Sequence, residues 1–307
     1  MIARLSLVVA LVVGVMSSTH AVTFPLPPTD VDVVGHLEVE RASADETLLD
    51  IGRRHGLGYE EMRIANPGVD LWVPGEGTEV MLPKRFVLPD APREGVVLNV
   101  AEMRLYYYPD AGSGQARTVE TYPVAIGRMD WNTPLGETRI IDKVRNPAWY
   151  PPESIRREAA AEGRHVPDVV PPGPNNPLGR FKMRLGIPGY LIHGTNRPWG
   201  VGMRVTHGCV RMLPEDIEQL FPRLGVNTPV RIVNQPVKAG WVAGQLYVEV
   251  HPVLDEEGGE GRAPSLDQAL AAVGAAAGRG PGRVDYERLR AASRTPNGIP
   301  LLISRSE

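Results

Sequence analysis

The feature that most constrains the fold of this 307-residue chain is its content of 33 glycines and 30 prolines. Glycine weakens a helix because of its conformational entropy, and proline removes a backbone donor and breaks the helix. At this density, long uninterrupted helices are disfavoured over most of the chain. The sequence therefore predicts a body rich in β-strands and loops, with short helices.

The first 21 residues have the pattern of a secretory signal peptide. Arg4 gives a positive start, residues 5–16 form an apolar run, and residues 19–21 offer small side chains at a cleavage site. A membrane span needs about 20 apolar residues, and neither this run nor any later segment is long and apolar enough. We expect an exported protein without a stable membrane span. A retained N-terminal anchor is the alternative.

The charge pattern bears on the class of partner. The formal net charge is −3 and the isoelectric point is about 6.2, and no basic stripe or block of like charge is present. Nucleic-acid-binding domains carry such a stripe because they neutralise phosphates. Nucleic acid is therefore not an expected partner.

Residues 37–86 have a strand–helix–helix–strand pattern. A helix capped by Asp45 and ended by Gly56 is followed by a second helix near residues 59–65, and a strand returns near residues 80–82. The stretches ADETLLDIGRRHGLGYEEMRIANP and VPGEGTEVMLP resemble a LysM module. The resemblance implies a small α+β domain that binds N-acetylglucosamine-containing glycans. The alternative is a structural cap without a glycan role.

Residues 95–234 have the pattern of a second, mainly β domain. VVLNV and RLYYY predict a hairpin, TVETYPVAIG, ETRIIDK, YLIHG and TPVRIVN predict further strands, and LPEDIEQLFPRL predicts a helix. Residues 146–179 are rich in turns and contain one exposed helix, ESIRREAAAEG. Residues 235–307 predict a C-terminal appendage, with one strand and two helices, that packs on this domain without chemistry of its own.

Cys209, within RVTHGCVRM, is the only cysteine. Cysteines of exported proteins normally pair, but a single one forms no intramolecular disulfide, so the core alone must hold the fold. A lone cysteine in apolar surroundings is ordinarily a small buried residue. Here the flanks are polar or flexible, and they favour a reactive thiol. These neighbours are Thr206, His207, Gly208 and Arg211.

Two histidines are candidates for the base that activates the thiol. His207 lies two residues before Cys209 and shares its face in an extended chain, which makes an in-line pair difficult. His193 ends a different predicted strand and is free to lie opposite the sulfur, so it is the preferred base. Because no acidic residue is near either histidine in sequence, we expect the carbonyl of Gly194 to orient His193.

Gly208 allows the backbone to bend at the nucleophile. The amides of residues 207–209 can then face one point and stabilise an oxyanion. Arg211, two residues past the nucleophile, is expected to hold a substrate carboxylate, and Thr206 is the second expected substrate contact. The alternative for Arg211 is an ion pair with Glu215 or Asp216 in the following helix.

The stretch LIHGTNRPWGVGMRVTHGCVRM resembles the catalytic motif of L,D-transpeptidases, which have a YkuD-type β-sandwich with short helices. TPLGET, NPAWYPP and NPLG are further matches in residues 95–234. In that family a cysteine attacks the amide after meso-diaminopimelate of a peptidoglycan tetrapeptide stem, D-alanine leaves, and an amine takes the acyl group. No metal or organic cofactor is used. The positions that match the motif are His193, Gly194, Thr206, His207, Gly208, Cys209 and Arg211.

The resemblance implies peptidoglycan stems and glycan strands as partners, and the signal peptide predicts a periplasmic location. The acceptor amine would come from another diaminopimelate or from a lysine of an outer-membrane lipoprotein. Two other functions remain open: a hydrolase in which water resolves the thioester, and a catalytically silent glycan-binding protein. A zinc site at His193, His207 and Cys209 is disfavoured, because His-x-Cys lacks the usual ligand spacing and a fourth ligand is not evident.

Overall fold

The computed structural model describes most of the chain after the predicted signal peptide, which lies outside the described residues. None of the helices in the described part is long and apolar enough to cross a membrane. The described ranges are 22–112, 115–128, 131–253, 261–280 and 283–305.

An N-terminal module follows the first strand, β1 (Val22–Pro25). Its elements are β2 (Val33–Gly35), β3 (Glu38–Arg41), α1 (Leu48–Arg54), α2 (Tyr59–Ala65), β4 (Glu79–Leu82) and β5 (Arg85–Val87). The strands form the antiparallel pairs β2–β5 and β3–β4 and flank the two helices in sequence. The predicted strand–helix–helix–strand order is therefore present. The prediction that Asp45 caps α1 was wrong. Thr47 caps it in a reciprocal pair with Asp50.

The central part of the chain is mainly β, as predicted. Its helices are α3 (Glu153–Ala161) and α4 (Pro214–Leu220). Its strands are β6 (Gly95–Asn99), β7 (Arg104–Tyr108), β8 (Thr118–Gly127), β9 (Gly136–Arg145), β10 (Phe181–Leu185), β11 (Leu191–His193), β12 (Arg204–Thr206), β13 (Val210–Met212) and β14 (Pro229–Val233).

These strands form a β-sandwich whose two sheets share β8 and β9, each ten residues long. The first halves of these strands join the sheet β1–β8–β7–β6–β14–β9, and the second halves join the sheet β9–β10–β11–β13–β8. Strands that pass from one sheet to the other are a known way to close such a core. The participation of β1 means that the sheet extends beyond the predicted bounds of residues 95–234.

The strands β6 and β7 are buried at every position. One face packs into the sandwich core, and the other packs against the N-terminal module, where Leu48 and Met62 meet Val97 and Tyr106. A strand covered on both faces has a continuous apolar run instead of alternation. The run VVL followed by RLYYY therefore reflects the module that covers the sheet.

The C-terminal segment has its own small core, formed by a three-stranded sheet and two helices. It packs on the N-terminal module as well as on the sandwich, since Tyr247 contacts Val33 and Val87. The expected strand and both expected helices are present, and β15 was not predicted. The elements are β15 (Val237–Val242), β16 (Gln245–Val250), α5 (Leu266–Ala277), β17 (Arg283–Val284), α6 (Tyr286–Arg294), β18 (Leu301–Leu302) and β19 (Ser304–Arg305).

A buried charge cluster joins these three parts. The Lys238 ammonium lies 2.7 Å from Glu102 Oε2 and 2.8 Å from Glu249 Oε1, and it donates to the Val87 carbonyl at 2.7 Å. Although burial opposes charge, the two carboxylates raise the pKa of Lys238. Glu102, Glu249 and His251 also bring three possible metal-ligand atoms within 4.8 Å. The Lys238 ammonium, bound to both carboxylates, already supplies the positive charge there.

Replacing Lys238 with methionine should destabilise the protein strongly, because two buried carboxylates lose their cation. Breaking a buried pair costs about 3–5 kcal/mol. The same replacement at Lys84, whose partner Glu38 is partly exposed, should cost about 0–1 kcal/mol. Chemical denaturation at neutral pH measures both. Equal losses in the two variants would show that the cluster does not hold the parts together.

Candidate active site

Two neighbouring strands bring the predicted nucleophile and base together. β11 and β13 are parallel, with Ile192 opposite Val210 and His193 opposite Arg211. Ile192 and Val210 lie in the core. Because side chains alternate along a strand, His193 and Arg211 project from the opposite face, and Cys209, two residues before Arg211, projects with them. The three side chains therefore share one face of the sheet.

His193 is held as a neutral base. Its Nδ1 lies 2.6 Å from the carbonyl oxygen of Gly194, and because a carbonyl only accepts, Nδ1 carries the proton and Nε2 is left with a lone pair. Burial and the nearby Arg211 guanidinium lower the pKa of His193 to about 3, although the bond to Gly194 acts in the other direction. The imidazole is thus uncharged at neutral pH and able to accept a proton.

Cys209 is held as a thiol. Burial raises its pKa, and the backbone of Leu191 and the Arg211 charge oppose this only in part. Its Sγ lies 3.7 Å from the Gly189 carbonyl. The resting site therefore holds a neutral thiol beside a neutral imidazole, and not a thiolate–imidazolium pair.

The turn before Cys209 is fixed by short contacts. The Thr206 hydroxyl donates to the Cys209 carbonyl at 2.6 Å, and the Thr133 hydroxyl donates to the Gly208 carbonyl at 2.9 Å. Gly208 has φ +94°, and a Cβ at this position would lie 2.7 Å from the Tyr190 ring. Glycine is therefore required here. The buried Thr206 hydroxyl holds the turn, which differs from the substrate contact expected of it.

Arg211 is a half-buried cation without an acidic partner among the described residues. Its Nε has no hydrogen-bond partner in that part of the chain, and burial, with the neighbouring Arg197, lowers its pKa. The alternative ion pair with Glu215 is not formed, because Glu215 accepts two bonds from Arg53. Asp216 is buried in α4, and its Oδ2 has no partner among the described residues. Arg211 and Arg197 together make the site electropositive.

His207 contacts an acidic residue that lies far from it in sequence. Its Nε2 lies 2.6 Å from Glu158 Oε2, and its ring packs edge-to-face on Trp131 at 5.4 Å between centroids. Glu158 lies on α3, 49 residues before His207. No local motif links the two positions, so only the fold could reveal the pair.

Comparison with known proteins decides the family. A family model described as the L,D-transpeptidase catalytic domain, YkuD, matches residues 93–232. The probable L,D-transpeptidase YcfS of Escherichia coli is 41% identical over 81% of this chain and 78% of its own length. The probable L,D-transpeptidase ErfK/SrfK of E. coli is 36% identical over 92% of this chain and 91% of its own length. The chain belongs to the L,D-transpeptidase family.

The catalytic domain of an E. faecium L,D-transpeptidase matches with a TM-score of 0.35 and 17% identity, over 47% of this chain and 99% of that domain.

The geometry separates the predicted site residues of this L,D-transpeptidase into two groups. His193, Cys209 and Arg211 share one sheet face, and His207 is turned towards α3. The three ligands of the disfavoured zinc site therefore have different partners. Sequence reasoning missed Glu158, which reaches the site from α3, and Arg197 and Thr133, which reach it from two separate loops. Arg197 lies inside the motif stretch, and its charge was the one local signal that could have found it.

Replacing Arg211 with glutamine should raise the pKa of both Cys209 and His193. Removing the positive charge makes the thiolate less favourable, so the pKa of Cys209 rises further. The imidazolium becomes less unfavourable, so the pKa of His193 also rises. The rate of iodoacetamide alkylation against pH measures the first, and histidine NMR the second. Arg211→Lys, which keeps the charge, should behave like the parent. Unchanged titrations in Arg211→Gln would remove Arg211 from the site.

Proposed function

We propose that this enzyme acts on peptidoglycan, and that Cys209 attacks the amide after meso-diaminopimelate of a tetrapeptide stem. The observation that carries the proposal is the placement on one face of β11 and β13 of Cys209, a neutral His193 and a half-buried Arg211 that has no acidic partner among the described residues. A thiol, a base and an anion-binding group are what acyl transfer from an anionic peptide requires.

In the acylation step, His193 Nε2 takes the thiol proton as the sulfur–carbon bond forms. The amides of residues 207–209 stabilise the resulting oxyanion. When the intermediate collapses, the carbon–nitrogen bond breaks, and His193 returns the proton to the leaving D-alanine amine. An acceptor amine then attacks the thioester and loses a proton to His193, and the thiol of Cys209 is restored. Because both groups start neutral, the proton moves during attack and no preformed ion pair is needed.

The two arginines favour a donor with a free carboxylate beside the reacting carbonyl. Diaminopimelate carries a carboxylate that is not part of the peptide chain, and a guanidinium binds such a group through two parallel bonds. Arg211 is half-buried and has no acidic partner among the described residues, so the substrate carboxylate would supply the missing charge. Arg197, which is more exposed, adds attraction at the entrance.

We propose that the N-terminal module contacts the glycan strand that carries the stems. A cleft of about 170 Å³ lies between α1 and the loop that follows His193, and it is bordered by Arg53, Tyr59 and Trp199. Trp199 is 61% exposed. The cleft lies between the module and the loop that follows His193. That loop packs against Arg211, since a Cβ on Gly200 would lie 3.7 Å from its guanidinium. One glycan strand could therefore contact both parts.

We place this activity in the periplasm, where the substrate lies, on the basis of the N-terminal apolar pattern. For the acceptor we propose an amine, either of a second diaminopimelate or of a lipoprotein lysine. The order of module, catalytic domain and C-terminal segment resembles that of the lipoprotein-attaching enzymes of Gram-negative bacteria, and on this resemblance we favour the lipoprotein.

Cys209→Ser should abolish acyl-enzyme formation and leave the fold intact, because the described active site offers no other nucleophile beside His193. Intact mass after incubation with tetrapeptide stems should show an adduct on the parent alone. Mass spectrometry of the products identifies the acceptor: a 3–3 dimer, a lipoprotein lysine conjugate, or a hydrolysed tripeptide if water is used. An adduct on Cys209→Ser at the parental rate would end this mechanism.

His193→Ala should slow acylation by roughly 10²- to 10⁴-fold, the usual contribution of a general base. His36→Ala on the N-terminal module, whose side chain is 75% exposed, is the control and should keep the parental rate. Single-turnover rates from quenched intact-mass samples measure this. If His193→Ala keeps the rate and His207→Ala loses it, the assignment of the base is reversed.

A further inference from the structure

One carboxylate connects three separate elements beside the nucleophile. Glu158 accepts from His207 Nε2 at 2.6 Å, and its other oxygen accepts from the guanidinium of Arg128. Glu158 lies on α3, His207 in the turn before Cys209, and Arg128 directly after β8. Hydrogen bonds from Arg128 and His207 lower the pKa of Glu158, so it is ionised at neutral pH.

The segment that carries Glu158 is also attached near the other histidine. This segment, residues 146–180, connects β9 to β10. Its base is fixed by Asn176, which is fully buried and donates to the Pro147 carbonyl at 2.8 Å. Gly179 packs on the backbone of Thr195, where a Cβ would lie 2.7 Å from the amide nitrogen. The segment thus has two contacts at the site. Its C-terminal end touches the loop after His193, and its helix α3 touches His207.

The contact fixes the protonation pattern of His207. A carboxylate accepts, so Nε2 of His207 carries the proton in both the neutral and the charged ring. In His193 it is Nδ1 that carries the proton, because the Gly194 carbonyl accepts there. The two histidines are therefore held in opposite arrangements, and the His207 Nε2 is not available to take the thiol proton.

We propose that Glu158 is a positioning residue: it holds His207 through Nε2, and thereby fixes the turn of residues 206–209 and keeps α3 attached at the active site. His207 is 29% exposed and Glu158 is 25% exposed, so the pair is accessible to solvent and contributes little to global stability. Its effect is on the position of the amides that face the reacting carbonyl. The expected effect on the acylation rate rests on the proposed function, whereas the protonation state of the His207 ring rests on geometry alone.

The test compares Glu158→Gln and Glu158→Ala with Glu162→Gln. Glu162 follows α3, is exposed and pairs with Arg164, so this control removes the same charge one helical turn from Glu158. We measure the rate of acylation by tetrapeptide stems at saturation. In Glu158→Ala we expect this rate to be roughly 10- to 100-fold below that of the parent, which corresponds to the loss of one hydrogen bond to a charged group. Glu158→Gln should show a smaller loss, and the control should equal the parent.

A spectroscopic readout separates positioning from a loss of folding. With ¹⁵N-labelled histidine, the parent and the control should show His207 protonated at Nε2, and Glu158→Ala should show both nitrogens sharing the proton, with an unchanged Tm. A parental rate in Glu158→Ala would overturn the positioning role, and an unchanged His207 spectrum would overturn the contact. If the parent itself forms no acyl-enzyme, the proposed function is wrong, whereas the His207 spectrum still decides whether Glu158 holds this ring.

Discussion

The hairpin of β6 and β7 buries two charges that the sandwich cannot neutralise by itself, and the arrangement of the whole chain depends on them. Arg104 is fully buried and donates two bonds to Glu61 of the N-terminal module, at 2.6 and 2.7 Å. Glu102, in the connection of the same hairpin, is neutralised by Lys238 of the C-terminal segment. An unpaired buried charge is strongly destabilising. The module and the C-terminal segment are therefore required parts of the folded state, and not independent additions.

This arrangement also reaches the active site. The N-terminus of α2 is fixed to the loop that follows His193, since the amides of Tyr59 and Glu60 donate to the carbonyls of Val201 and Gly202. That loop packs against Arg211. The N-terminal module thus supports the loop that packs against Arg211.

The resting site is defined by the neutral state of its thiol and its imidazole. Burial keeps both Cys209 and His193 neutral, although a thiolate–imidazolium pair is the familiar state of reactive cysteines. A neutral thiol is less reactive than a thiolate towards electrophiles. The resting state of Cys209 is therefore its less reactive form.

The sequence by itself determined most of the elements and predicted the candidate site residues. The motif around Cys209 and the strand ending at His193 predicted the nucleophile, the base and the Gly194 carbonyl, because strand alternation and a glycine at a bend are local properties. The two helices of the module followed from periodicity, whereas the cap at Thr47 was missed because Asp45 offers a similar local signal.

What only the tertiary structure decided were the contacts between distant segments. Glu158 with His207, Lys238 with Glu102, and the entry of β1 into the sheet all join residues tens to hundreds of positions apart. The neutral state of His193 and Cys209 belongs to the same class, since it arises from burial beneath other parts of the chain. Propensity and spacing describe neighbours along the chain, and these contacts and this burial exist only once distant segments have packed together.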